Sequence, residues 1–468
     1  MSETTTTEAA RDAKQVRRDL TQGPIERHLL NLTIPMIWGI VAVLSIGLAD
    51  AYFLGQLGTK ELAAISFTFP VVFTFSTLAI GLGAGATSVV SRAIGEKDRA
   101  QVRRLATDSF ILAVLIVAAS CVVGWLTIEP LFRLLGAEGE VFDLVQRYMQ
   151  IWYLGMPFLV VPMVANNLIR STGDAFVPSV IMTVSAVINV GLDPIFIFGG
   201  FGVPAMGVEG AAWASLIARA VSFVFSLAIV IWRENLIVFA YAPMAELVAS
   251  WRRVLGVGIP AALGNMLNPI GVAIVTGVLA TYGSESVAAF GAATRIEMFA
   301  AIPLLALSAS IGPIAGQNWG AGSFDRIQRS LRLSFAFSVV WAAMMGLTAY
   351  FAGPSLAAAF TPDPAVAEQI ANYLLIISTS LMGYGLIVVS AACCNAIGHP
   401  RLSLTIYGGR MAFLYVPLAW LASLYFPVSA VFWAIWIANM LVGFWAAYVV
   451  ARLLRRAPGR ATVADNAV

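Results

Sequence analysis

Three carboxylates stand well inside long apolar runs: Asp50, Asp193 and Glu297. An acid surrounded by hydrocarbon is expensive, so it marks either an ion or proton path or a structural pairing with a neighbouring cation or hydroxyl. Asp50 follows Pro35 by 15 residues and Asp193 follows Pro178 by 15. At a rise of ~1.5 Å per residue each acid lies roughly 22 Å past its proline, so similar depths in the outer half are expected although the prolines need not be level. Asn189 precedes Asp193 by four residues and shares its helix face. Pro194 has no N–H, which leaves the Val190 carbonyl without its helical donor. If the two helices pack together, Asp50, Asn189 and Asp193 form an oxygen-rich patch suited to a proton or to Na⁺. Glu297 has Arg295 close by, and pairing across helices and a functional role both stay open. Arg219 and Arg410 are mid-span cations that either pair with an intramembrane acid or snorkel to the inner surface. Pro35 bends its helix, as a static kink or as a hinge that moves Asp50.

The elements that position these residues are membrane spans. The 468-residue chain is 59% hydrophobic and 11% charged, where a soluble domain carries about 25% charged residues. Apolar runs of spanning length occur near 28–54, 62–91, 106–128, 148–169, 177–199, 210–232, 252–281, 288–314, 332–352, 371–395, 402–425 and 429–451. The alternation of a membrane β-barrel is absent. Residues 1–27 are polar and show no secretory leader. Three cysteines, two of them adjacent, give no disulfide framework or zinc spacing. The net charge of +3 does not imply nucleic acid, because topology sets it. With the N-terminus inside, 22 of the 28 Lys and Arg fall on the inner side, and only Lys60, Arg133 and Arg147 fall outside. That asymmetry places both termini in the cytoplasm. The expected division is a cytoplasmic segment 1–27, a first lobe 28–232, a cytoplasmic linker 233–251, a second lobe 252–451 and a tail 452–468.

Residues 35–173 repeat without a gap 225 positions later. Pro35, Gly39, Gly58, Gly95, Arg104, Tyr148 and Gly173 recur as Pro260, Gly264, Gly283, Gly320, Arg329, Tyr373 and Gly398. Six helices per half is an even number, so the halves are parallel repeats about an axis along the membrane normal. Paired halves that rock around a central site are the architecture of a transporter. The acids are not duplicated: Asp50, Asn189 and Asp193 correspond to Val275, Leu414 and Leu418. An ion or proton site is therefore expected in the first lobe alone. The stretch 81-GLGAGA-86 has no preceding strand and reads as a surface for close helix packing.

These residues, with 91-SRAIGEKDRAQVRR-104, 166-NNLIRSTGD-174, 188-INVGLDPIFIFG-199 and 316-GQNWGAGSFDRIQRS-330, resemble the multidrug and toxic compound extrusion (MATE) transporters over about residues 25–455. Within the family the chain is similar to the DinF-like branch, which carries the Pro35–Asp50 and Asn189–Asp193 pattern. The resemblance adds Tyr148, Asn166 and a helix-6 hydroxyl, nearest Ser215, to the coupling cluster. The NorM-like branch has acids in helices 7 and 10, and those spans have none here. The resemblance implies an all-α, twelve-helix, V-shaped membrane protein with two six-helix lobes. It implies a monomer of the prokaryotic plasma membrane that exports small amphipathic or cationic compounds against H⁺ or Na⁺, with no other cofactor. A lipid-linked oligosaccharide flippase of the same superfamily is the alternative, although its pyrophosphate cargo calls for a more cationic cavity than Arg219, Arg295 and Arg410 supply. The Gly-x-x-x-Asp-Arg-x-Gly-Arg loop of major facilitators is absent. A membrane-embedded enzyme is the rival from another class, and no His cluster or Ser–His arrangement supports it. The sequence leaves the substrate and the choice between H⁺ and Na⁺ open.

Overall fold

A computed structural model describes residues 19–238 and 243–456. Residues 1–18 of the N-terminal segment, 239–242 of the linker and 457–468 of the tail lie outside it. Twelve helical stretches are present among the described residues. In the first half they are α1 (Ile25–Leu57), α2 (Thr59–Gly95), α3 (Arg99–Leu134), α4 (Gly139–Ser171), α5 (Phe176–Phe198) and α6 (Val208–Ala228, with a closing π-helical turn Ile229–Arg233). In the second half they are α7 (Met244–Ala280), α8 (Ser284–Gly320), α9 (Phe324–Phe360), α10 (Pro364–Ala396), α11 (Pro400–Gly408, Gly409–Tyr415 and Val416–Tyr425) and α12 (Val428–Arg455). Eleven of these are long and apolar enough to cross a membrane.

The twelfth, α11, was expected as one regular span. It is instead broken by the π-helical stretch Gly409–Tyr415. Pro417 has no N–H for the Phe413 carbonyl, and two glycines precede Arg410, so the regular ladder fails there. A second difference lies in the linker. α7 begins at Met244, where Pro243 accepts from the amides of Glu246 and Leu247, so helix occupies residues expected to connect the lobes.

The repeat is visible in the packing. α4 packs on α3 and α6, and its counterpart α10 packs on α9 and α12. The turns after α4 and α10 are built alike. Gly173 and Gly398 have φ of 90° and 83°, a backbone that a side chain strains. Their amides close on the carbonyls of Arg170 and Asn395. By contacts the described chain falls into two compact units. One holds Ile34–Ile94 and Asp98–Ile259; the other holds the residues through Thr33, Gly95–Lys97 and those from Pro260 on. The division thus falls within α1 beside Pro35 and within α7 beside Pro260, at the two repeat-related prolines.

Between apolar spans, small residues substitute for a hydrophobic driving force, because they let helices approach closely. In the first unit a Cβ on Gly83 would sit 2.3 Å from Asn167 Nδ2, and one on Gly85 would sit 2.4 Å from the Val254 carbonyl oxygen. The 81–86 stretch therefore does pack closely, α2 against α4 and against the start of α7. The other unit has Thr33 donating to Ser310 at 3.1 Å, which ties the start of α1 to α8.

Candidate functional site

The sequence-derived acids meet inside one unit. Asp193 on α5 is wholly buried, and the carboxyl of Asp50 on α1 lies within hydrogen-bonding reach of it. Asn189, one turn before Asp193, donates through Nδ2 to Ser215 Oγ on α6 at 3.2 Å and approaches Asp193 Oδ1 at 3.5 Å. Tyr148 on α4 faces both carboxyls, and Arg219 on α6 faces Asp50. Helices α1, α4, α5 and α6 therefore converge on one polar centre. Asp50, Asp193, Asn189, Ser215 and Tyr148 come together as the sequence and the resemblance suggested.

Asn166 is placed elsewhere. It accepts from Ser226 Oγ at 3.4 Å. Ser226 follows Ser215 by 11 residues on α6, roughly 16 Å of helix axis. Tyr148 and Asn166 share α4 but stand 18 residues apart, so they serve different levels of the bundle.

Packing fixes the site's walls. Gly210 lets α6 lie directly on α5, since a Cβ there would be 2.3 Å from the Phe196 carbonyl oxygen. Ser185 Oγ donates to the Ala218 carbonyl at 3.0 Å, pinning the same pair of helices further along. After α5, the amides of Met206 and Gly207 donate to the Phe196 and Ile197 carbonyls, which holds the α5–α6 turn shut. One helical turn beyond each acid, Leu54 and Ile197 join Val208 and Ala211 in an apolar cluster that closes that end of the site.

The accounting of polar atoms is the site's main anomaly. Asp50 Oδ1, Asn189 Oδ1 and Asp193 Oδ2 are buried and accept no hydrogen bond. Buried acceptors are normally satisfied, and each one left alone costs about 1–3 kcal/mol. Among the described residues the one cation facing the two carboxyls is Arg219, beside Asp50. The cluster thus has acceptor capacity to hold a proton or a small cation among the three oxygens.

A second buried polar centre lies in the other unit, and the sequence disclosed only parts of it. Arg410 is 3% exposed. Its Nε donates to Asn439 Oδ1 at 2.6 Å and its Nη1 to Asn268 Oδ1 at 3.0 Å, while its guanidinium stacks over Tyr384. Asn439 passes the network on to Ser380 Oγ at 2.9 Å. Glu297 accepts from Tyr373 Oη at 2.5 Å and faces Arg410. The structural pairing left open for Glu297 is therefore observed, though with α10 and α11 rather than with Arg295. Asn268 and Asn439, two amides in apolar spans, were the available signal; their meeting with Arg410 was not legible.

Comparison with known proteins gives a consistent picture. The MatE family profile matches residues 35–195 and again 260–421, two matches whose starts are separated by the 225 positions of the repeat. An FAD transporter of Shewanella oneidensis is 38% identical over 450 residues, covering 96% of this chain and 99% of that protein. A probable multidrug resistance protein of Bacillus subtilis is 24% identical over 432 residues, covering 91% and 90%. Among solved structures, a MATE transporter of Vibrio cholerae in its bent form superposes with a TM-score of 0.86 at 28% identity, over 92% of this chain and 97% of that one.

Proposed function

This chain belongs to the MatE family of multidrug and toxic compound extrusion transporters, and we propose that it is a secondary exporter of bulky amphipathic organic compounds, driven by cation entry at Asp50 and Asp193. Members of the family are multi-pass membrane transporters rather than enzymes. The observation that carries the proposal is the trio of buried, unpartnered oxygens on Asp50, Asn189 and Asp193. A bound proton or cation satisfies them and neutralises the surplus negative charge, and either event changes how α1 and α5 pack. A ligand shifts a conformational balance only by its difference in affinity for the two states. Antiport follows when the neutralised site and the substrate-loaded cavity favour opposite states.

The proposed coupling ion is H⁺, since two facing carboxyls and an amide hold a proton with no further ligand. Na⁺ is the second reading, favoured by the three free acceptors. Two substrate classes fit. Organic cations suit a site that loses positive charge during the cycle, and a flavin dinucleotide is favoured by the 38% identical relative. The deciding measurement is export by proteoliposomes under an imposed proton gradient alone or sodium gradient alone, with a cationic dye and with FAD. No flux of either compound under either gradient would sink the proposal. Substrate binding that is flat from about pH 5 to 9 but strongly Na⁺-dependent would replace H⁺ by Na⁺.

The orientation is proposed to place both termini in the cytoplasm of a prokaryotic cell, with the protein acting as a monomer. Lys97, in the turn after α2, and Glu285, in the first turn of α8, are exposed and lie at opposite ends of the spans. A Lys97→Cys variant should resist impermeant thiol reagents in intact cells, and Glu285→Cys should react. The reverse pattern would invert the topology.

Pro35 marks the boundary between the two compact units within α1. We propose that it acts as a hinge. Restoring the missing hydrogen bond in Pro35→Ala stiffens α1 and should slow flux several-fold while equilibrium substrate affinity changes little. Unchanged flux would leave the proline a static bend.

A further inference from the structure

A cavity of about 1010 Å³ opens in the first unit where α3 begins and α6 ends. Its polar wall is Arg103 and Arg104, in the first turns of α3. Its apolar wall is Phe110 and Ile111, further along α3, with Leu227 and Ile231 of α6. The cavity is far from the acids and belongs to no step of the proposed transport cycle.

Its arginines are incompletely satisfied. Arg103 Nη2 donates to Asn235 Oδ1 at 3.2 Å, but its Nε is buried without a partner. Arg104 Nε donates to Asp108 Oδ2 at 2.9 Å, whereas Arg104 Nη2 is buried without a hydrogen bond and the carboxylate of Glu246 stays 3.8 Å away. Asp108 is the only acid in the cavity wall, and it is already engaged by Arg104. Among the described residues, the Arg103 guanidinium therefore has no acidic partner.

The internal repeat shows what a filled version of this place looks like. Arg104 corresponds to Arg329, 225 positions later. Arg329 Nε donates to Glu26 Oε1 at 2.9 Å. Next to it, Arg326 donates to the carbonyls of Leu20, Gln22 and Gly23, so the chain before α1 covers that end of the second half. At the same offset, ahead of the repeated stretch, the position of Glu26 falls on Trp251, which supplies no carboxylate and donates from Nε1 to the Asp108 carbonyl at 3.0 Å. In the first half, then, the arginine is answered by Asp108 on its own helix rather than by an acid at the position of Glu26, and a cavity stands beside it.

We propose that this cavity binds the phosphate of an anionic phospholipid from the leaflet on the α2–α3 side, with its acyl chain along Phe110, Ile111, Leu227 and Ile231. Arg103 Nε, which has no partner, and Arg104 Nη2, which holds only the 3.8 Å ion pair to Glu246, supply charge-assisted donors for phosphate oxygens. A polar wall at the end of a span, continuous with an apolar one, matches a headgroup and its chain. Ile111 is 39% exposed on the lipid-facing side of its helix, which gives the chain a path in from the bilayer. A soluble phosphate would use the same donors but gain nothing from the apolar wall.

The test uses full-length protein purified in detergent. Bound lipid is counted by native mass spectrometry, and unfolding is followed after addition of phosphatidylglycerol, phosphatidylcholine or inorganic phosphate. The expected result is a retained phosphatidylglycerol and a raised unfolding temperature, neither reproduced by phosphatidylcholine. Arg103→Gln should lose both, and Arg103→Lys should recover part. Leu227→Trp fills the apolar wall without touching the charge and should also lose the lipid, which covers the case in which Arg103→Gln does not fold. Equal retention of both lipids, or retention undiminished in Arg103→Gln or Leu227→Trp, overturns the proposal. An equal stabilisation by inorganic phosphate alone overturns the lipid assignment in favour of a soluble phosphate.

Discussion

Asp193→Asn is expected to abolish gradient-driven export, down to the leak of protein-free liposomes, while the protein folds normally. The substitution keeps the shape of a fully buried side chain and removes the charge that the coupling ion must neutralise. The new amide donates a hydrogen bond to Asp50, whose Oδ1 otherwise has none. Folding stability should therefore change by less than about 1 kcal/mol, since an unsatisfied acceptor is relieved as a hydrogen bond is gained. Asp50→Asn should behave in the same way. Substrate binding at equilibrium should survive in both variants but lose its dependence on pH, because that dependence belongs to the carboxyl pair. Ser215→Ala, which removes only one donor-acceptor partner of Asn189, should slow transport without abolishing it. Full export by either Asn variant would place the coupling site elsewhere.

Arg410→Gln is expected to strike stability instead. The wild-type guanidinium satisfies Asn268 and Asn439, stacks on Tyr384 and faces Glu297. Removing it leaves a buried carboxylate and two amides without their cation. Each buried acceptor left unsatisfied costs about 1–3 kcal/mol, and two amide oxygens lose their donor. The unfolding midpoint in detergent should fall accordingly, well beyond any effect of Glu297→Gln, whose amide oxygen still accepts from Tyr373. The double variant Arg410→Gln with Glu297→Gln should be more stable than Arg410→Gln alone, a coupling that a double-mutant cycle measures. Stability undiminished in Arg410→Gln, with transport lost, would make the arginine a transport residue rather than a structural one.

The sequence by itself determined the number of helices, the duplicated plan and the identity of the intramembrane acids. These follow from local chemistry. A span must be apolar over its whole length because hydrocarbon offers its backbone no hydrogen-bond partner. A charge inside a span is conspicuous because it is costly. Gly173 and Gly398 betray the same turn in both halves because the left-handed backbone there excludes a side chain. Sequence spacing also put Asn189 and Asp193 on one helix face, and the fold keeps them there.

Only the tertiary structure decided which polar groups meet. Asn166 and Tyr148 both looked like members of the acid cluster, yet a helix converts 18 residues into roughly 27 Å, and only Tyr148 stays beside the acids. Asn268, Arg410 and Asn439 come from three helices, and no local pattern links them. The break in α11 arises where Arg410 must reach both amides, which no apolar periodicity records. The open cavity beside Arg103 likewise gathers residues of α3 and α6 that no local pattern links. Spacing along one helix is fixed by 1.5 Å per residue, whereas meetings between helices are fixed by how side chains pack, and that is settled only when the bundle closes.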